Sequence, residues 1–308
     1  NAVILKDKTV TYSDNDIRPE ENIESYFVWI PKYQYKLFDL GNYTSTISSK
    51  PTSSIAKTID IVFGDDTTSD QKEGECTTPM TSGETGNCKV GDYMTHPAFL
   101  SFNTNGFWVG KFEITGTKDQ ITVKPNNTSL RNQTVRTFFE LSYNYNRNLD
   151  SHMMKNTEWG AVAYLSHSKY GINGEININN NSDYLTGYSA VEGTDQTSYL
   201  GTFGITEDIT KPYNTETGYK ASTTGNITGI YDMSGGSNEY IAAYMSGQFG
   251  NSGFDEITIQ NYDLKYFDIY LSNSTVTSYN NRILGDATGE MGPFYTYQDK
   301  DGNSRIHN

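Results

Sequence analysis

Residues 229–240, Gly-Ile-Tyr-Asp-Met-Ser-Gly-Gly-Ser-Asn-Glu-Tyr, constrain the fold of this chain more than any other stretch. An apolar lead through Ile230 and Tyr231 carries one acid, Asp232, and then Met233. A Ser-Gly-Gly turn at 234–236 breaks it, and Glu239 follows. A second apolar run occupies 240–245. These residues alone predict a strand, a tight turn needing unusual backbone angles, and a second strand. The glycines are followed by neither a lysine nor a helix start, so no phosphate loop is implied. Asp232 and Glu239 admit two readings. They are catalytic carboxylates, or they accept backbone N–H bonds and fix the turn, which is the commoner use of an acid beside a glycine turn.

The remaining segments alternate short apolar runs with long polar ones. Residues 1–25 predict a hairpin and a loop as a lead-in, with weak alternation at Val3, Leu5, Val10 and Tyr12. The dense run 26–31 predicts a buried strand, and 33–38 and 59–63 predict further strands. Residues 64–92 form a long insertion rich in Asp, Thr, Gly and Ser. A patternless loop of that length is a surface elaboration or a functional loop. Residues 106–115 predict one long strand or a strand pair. Val135, Phe138, Phe139 and Leu141 have helical spacing across 134–148. The strongest helix runs over 157–167: Asn156 or Thr157 caps it, Glu158 suits its first turn, and Trp159, Val162, Ala163 and Leu165 give it an apolar stripe. A strand is also predicted within 262–270. No internal repeat is present, and no closing strand reads at the end of the chain.

Composition narrows the function classes. Tyr, Asn, Thr, Ser and Gly dominate, with 24 Tyr against 3 Trp, which suits an irregular, loop-rich, partly β protein rather than a helical bundle. A net charge of −14 argues against nucleic acid as a partner, since phosphate binding needs a basic face. No run of about 18 apolar residues exists, so no membrane-spanning segment is expected within the chain. Cys76 and Cys88 lie together in the 64–92 insertion. A disulfide between them is expected, closing a 13-residue loop and contributing roughly 3 kcal/mol, with two free thiols as the alternative. Their count and spacing fit neither a redox pair nor a zinc site.

Four blocks, in order, resemble the formylglycine-generating-enzyme-like (sulfatase-modifying-factor) branch of the C-type lectin fold. Phe27-Val28-Trp29-Ile30-Pro31 resembles its opening strand. His96-Pro97 with Phe107-Trp108-Val109-Gly110-Lys111-Phe112-Glu113-Ile114-Thr115 resembles its HP…FxxGKYEVT segment. Glu158-Trp159-Gly160-Ala161-Val162-Ala163 resembles its EWEYAA helix, and Gly229 to Gly235 its GLYDMxGNVWEW signature. The resemblance implies an irregular α+β fold with long loops and two main helices, as one domain over 26–308. It makes Tyr231, Asp232, Met233, Gly235, Glu239 and Trp159 signature residues of the scaffold. The departures bear on activity. After Gly235 only Glu239 of the family's Asn-Val-Trp-Glu-Trp survives, and the copper-binding cysteine pair of the family's enzymes has no counterpart. The wording of 26–38, 154–160, 221–226 and 284–294 is closer to surface proteins of Gram-positive gut bacteria. Many of those are pilin-like, and some resemble targets of diversity-generating retroelements.

The sequence reading is therefore a non-enzymatic, extracellular or bacterial cell-surface protein. It would bind a protein or glycan ligand on a lectin-type scaffold, with no cofactor required. The C-terminal end of the domain is expected to be missing. Alternatives are a filament subunit whose partners are copies of itself, and an oxidase of the sulfatase-modifying type. Tyr295 and Tyr297 are the candidate ligand contacts, since tyrosine offers area and a hydroxyl at low entropic cost. Asp299, Asp301 and Asn303 place oxygens at alternate positions as calcium loops do, but no glutamate closes the loop, and a polar hairpin turn is the stronger reading. Lectin folds also admit calcium on backbone and Asn oxygens. His152 and His167 flank the 157–167 helix without metal-pair spacing and read as structural or solvent-facing.

Overall fold

A computed structural model describes residues 1–36, 58–64, 93–102, 104–174, 176–190 and 210–270, with the backbone of 295–298 and 304–307. In chain order the strands are β1 (Ala2–Leu5), β2 (Ile23–Pro31), β3 (Tyr33–Lys36), β4 (Ile61–Phe63), β5 (Tyr93–Thr95), β6 (Gly106–Gly110), β7 (Thr115–Thr117) and β8 (Gln120–Thr122). They continue with β9 (Tyr188–Ser189), β10 (Lys211–Pro212), β11 (Ala243–Met245), β12 (Asp268–Tyr270), β13 (Tyr295–Gln298) and β14 (Ser304–His307). The α-helices are α1 (Val135–Tyr145), α2 (Asn156–Ser166), α3 (Glu216–Tyr219) and α4 (Glu256–Ile259). Helices and several small sheets together make a mixed α+β fold. It divides into two compact units. The first comprises Asn1–Ile30, Trp108–Gln133 and Ile176–Glu239; the second comprises Pro31–Phe107, Thr134–Glu175 and Tyr240–Asn308.

The first unit is built on the three-stranded sheet β1–β2–β6. β1 runs antiparallel to β2, with Ala2 opposite Phe27 and Val3 opposite Tyr26. The partner of residues 2–5 is thus 23–31, not the expected 10–12, which form no strand. The β2 run is not uniformly buried either. Ile30 is inside while Trp29 is exposed, as alternation in a half-buried strand requires. The expected strand over 106–115 ends at Gly110, and the chain resumes pairing in the β7–β8 hairpin. Phe112, Val123, Ala221 and Tyr231 form the core, with Tyr26, Ile114 and Tyr213 packed on it. Phe112 stacks on Tyr231 at 5.4 Å and meets Tyr213 edge-on at 5.2 Å.

The second unit holds the antiparallel sheet β4–β3–β5 and the parallel pair β11–β12. Helix α1 forms as its spacing predicts. The Thr134 side chain caps it by accepting the Thr137 N–H at 3.2 Å, and Phe139 is buried. Phe139 centres a core with Met153, Ala242, Ile259, Tyr266 and Phe267. A second aromatic group gathers on β3: Tyr35 meets Tyr164 edge-on at 5.0 Å, and the Tyr33 hydroxyl donates to the Ala161 carbonyl at 2.7 Å. Near the end of the chain β13 and β14 form an antiparallel pair of their own, with Tyr295 opposite His307 and Tyr297 opposite Arg305.

Candidate functional site

The opening stretch does not form strand–turn–strand. Residues 229–239 are irregular, because their backbone groups bond to scattered partners rather than to one ladder. Tyr231 N–H donates to the Lys111 carbonyl, Thr223 N–H to the Ile230 carbonyl, and Asn179 N–H to the Ser234 carbonyl. Asp232 adopts a left-handed backbone at φ 65°, which a short polar side chain tolerates. Gly235 (φ 82°) and Gly236 (φ 68°) follow, so the unusual angles expected of the turn are present. A Cβ on Gly235 would collide with the Asn179 carbonyl oxygen, and one on Gly236 with the Glu113 carboxylate. The second apolar run supplies β11, which begins at Ala243.

This geometry brings Asp232 against Glu113. Asp232 is 1% exposed. Its Oδ1 accepts the Asn179 side-chain amide at 2.8 Å and the Gly187 N–H at 2.9 Å, and its Oδ2 accepts the Glu113 N–H at 3.5 Å. Glu113 accepts the Ser237 N–H on Oε1 at 2.8 Å and the Ser129 hydroxyl on Oε2. Burial pushes the Glu113 carboxyl up to about 8, and the nearby charge of Asp232 adds to the rise. Burial also lifts Asp232 above the ordinary carboxylate range, against the pull of Asn179 and the Gly187 N–H. At neutral pH the pair therefore retains a proton. With one of the two carboxyls protonated, the pair can hold its five donors without a buried double charge.

Lys111, two residues before Glu113, is also buried. Its ammonium donates to the Ile227 carbonyl and, at 3.1 Å, to Asn1 Oδ1. Burial lowers its pKa to about 8. Sequence reasoning singled out neither residue. The signal for Glu113 was present: it is the one acid in the apolar run 106–115. Glu239, the other acid of the opening stretch, is exposed, and its charge contributes to the rise at Glu113.

A second polar cluster lies in the second unit at the N-terminus of α2. Glu158 accepts the Lys155 N–H at 2.8 Å, and Asp268 accepts the Thr157 N–H at 2.7 Å. The two carboxylates occupy the end of the helix where its backbone donors are unpaired. Neither Asn156 nor Thr157 caps the helix; Lys155 holds the cap position and both expected caps lie inside the helix. His152 Nε2 sits 3.0 Å from Glu158 Oε1, and its Nδ1 sits 2.8 Å from the Asp150 carbonyl. With Glu158 ionised both partners are acceptors, and these contacts favour a proton on each ring nitrogen. Burial opposes that charge, but Glu158 outweighs it and raises the His152 pKa, while His152 holds Glu158 low against its own burial. Lys155 Nζ is 4.0 Å from Asp268 Oδ1 and 4.8 Å from the Phe102 ring centre.

Of the stripe read on α2 only Val162 is buried, alongside Gly160, Ala161 and Tyr164, whereas Trp159, Ala163 and Leu165 are half-buried. Met233 is likewise half-buried. Tyr295 and Tyr297 lie on β13, and their side chains lie outside the described residues. Cys76, Cys88, Asp299, Asp301 and Asn303 also lie outside them. Among the described residues no group of three or more His, Cys, Asp or Glu is arranged to hold a metal ion. Among the same residues no helix is long and apolar enough to cross a membrane. No family model, no curated protein and no solved structure matches this chain.

Proposed function

We infer that this chain is a non-enzymatic binding protein, displayed at a cell surface or on a filament, with a C-type-lectin-like scaffold that presents a ligand site in its loops. One observation carries the reading. The acid at the centre of the signature stretch, Asp232, is 1% exposed and serves as an acceptor for Asn179, Gly187 and Glu113. A carboxylate engaged in this way organises loops and is withheld from substrate. Function then falls to the surface that those loops present.

The test pairs two assays on the whole chain. Immobilised protein is screened against extracellular-matrix proteins and a neutral-glycan array. In parallel, the soluble chain is incubated with a cysteine-containing sulfatase peptide, and aldehyde formation is read with a hydrazide probe. Saturable binding without aldehyde formation is the expected result. Aldehyde formation that is lost in C76S or C88S would replace the binding reading with an oxidase of the sulfatase-modifying type.

A further inference from the structure

Two of the three tryptophans stand side by side in the open. Trp29 on β2 is 38% exposed and Trp108 on β6 is 51% exposed. Their strands belong to one sheet, their ring centres are 5.2 Å apart, and their planes meet at 58°. Each is followed by a residue anchored in the interior, Ile30 at 3% and Val109 at 6% exposure. Strand alternation thus drives the neighbours inward and fixes both indoles outward on a rigid support. Nothing else large and apolar on the three strands is exposed among the described residues.

We propose that the Trp29–Trp108 pair is a binding platform for a neutral oligosaccharide. Three features select that occupant. The first is size. The exposed parts of two tryptophans amount to about 200 Å², whereas a stable protein partner covers about 800 Å² on each side. The platform suits one or two sugar rings, not a protein face. The second is polarity. A pyranose carries C–H groups on one face and hydroxyls around its rim. Indoles cover the face and leave the rim in water, so no hydroxyl is stranded without a partner. The third is charge. At −14 the chain repels uronate, sulfated and phosphate-bearing ligands, and leaves neutral glycans favoured.

This site is separate from the loops that carry the proposed display function, and the inference stands or falls without them. The probes are xylohexaose, cellohexaose and chitohexaose, added to the whole chain at up to about 10 mM, a range that covers millimolar affinities. The readout is the three indole N–H resonances. Two of them should move saturably with at least one sugar, while that of Trp159, half-buried on α2, stays in place. By calorimetry W29A and W108A should each weaken binding roughly tenfold or more, as for an aromatic anchor, and W159F should leave it unchanged. The proposal fails if none of the sugars shifts the two resonances, or if W29A/W108A binds as wild type. It also fails if the resonances broaden with protein concentration alone and sedimentation shows a tryptophan-dependent dimer, since the occupant is then a second copy. Should the alanine variants not fold, the wild-type resonances decide between these outcomes.

Discussion

At the scale of single residues, Glu113 makes the sharpest statement. Its carboxyl titrates near 8 in the fold, against 4.5 for an ordinary glutamate. Between those values the folded state holds a proton that the unfolded state has lost. The contribution is complete below pH 4.5 and disappears as pH rises through about 8. At ~1.4 kcal/mol per pH unit, with partial exposure taken into account, the loss should be roughly 3 kcal/mol. Glu113→Gln cannot ionise and keeps an oxygen for the Ser237 N–H. Denaturant unfolding measured from pH 5 to pH 9 should therefore show E113Q close to wild type at the acid end and more stable at the alkaline end. Parallel curves would show that Glu113 is not a proton-holding acid. This residue was visible in the sequence only as an acid out of place. Its partners, Ser129, Asp232 and Ser237, lie far along the chain, and no local pattern reports them.

At the scale of elements, legibility followed periodicity. Helix α1 could be read because its apolar residues recur at helical spacing about the buried Phe139, and Thr134 marks its start. Helix α2 could be read as a helix but not oriented, because most of its residues are buried and little amphipathic contrast remains. Residues 229–239 misled because apolar residues around a glycine turn look like a hairpin, while their actual bonds run to Lys111, Asn179 and Thr223. The turn itself allows a controlled test. Gly235 and Gly247 both have positive φ, 82° and 74°. A side chain on Gly235 strikes the Asn179 backbone, while nothing lies within 4 Å of one on Gly247. Gly247→Ala should cost about 1 kcal/mol, the backbone penalty alone. Gly235→Ala adds a collision with backbone that cannot swing aside, and should cost about 3 kcal/mol or more. Chemical denaturation of both variants measures the difference. Equal losses would mean that the turn does not pack on Asn179 as described.

At the scale of the whole molecule, the chain passes repeatedly between two units, each assembled from three separated segments. No composition shift or linker announces this arrangement, because the crossings fall inside or beside ordinary elements: Ile30 within β2, Trp108 within β6 and Glu239 at the end of the signature stretch. The division has a consequence for truncation. Removing residues 240–308 leaves all three segments of the first unit, including Phe112, Val123, Ala221 and Tyr231 of its core. The same cut takes Ala242, Ile259, Tyr266 and Phe267 from the second unit and leaves Phe139 and Met153 without the residues they pack on. It also removes Asp268, and with it the acceptor for the Thr157 N–H at the start of α2. Loss of those four buried side chains, at ~2–5 kcal/mol each, is as large as the ~5–15 kcal/mol that holds a typical domain together. Hydrogen exchange on the 1–239 fragment should therefore retain protection in β2 and through 108–123 while α1 and α2 exchange freely. Collapse of protection in both regions would show that the first unit depends on the second, and that the two fold as one cooperative body.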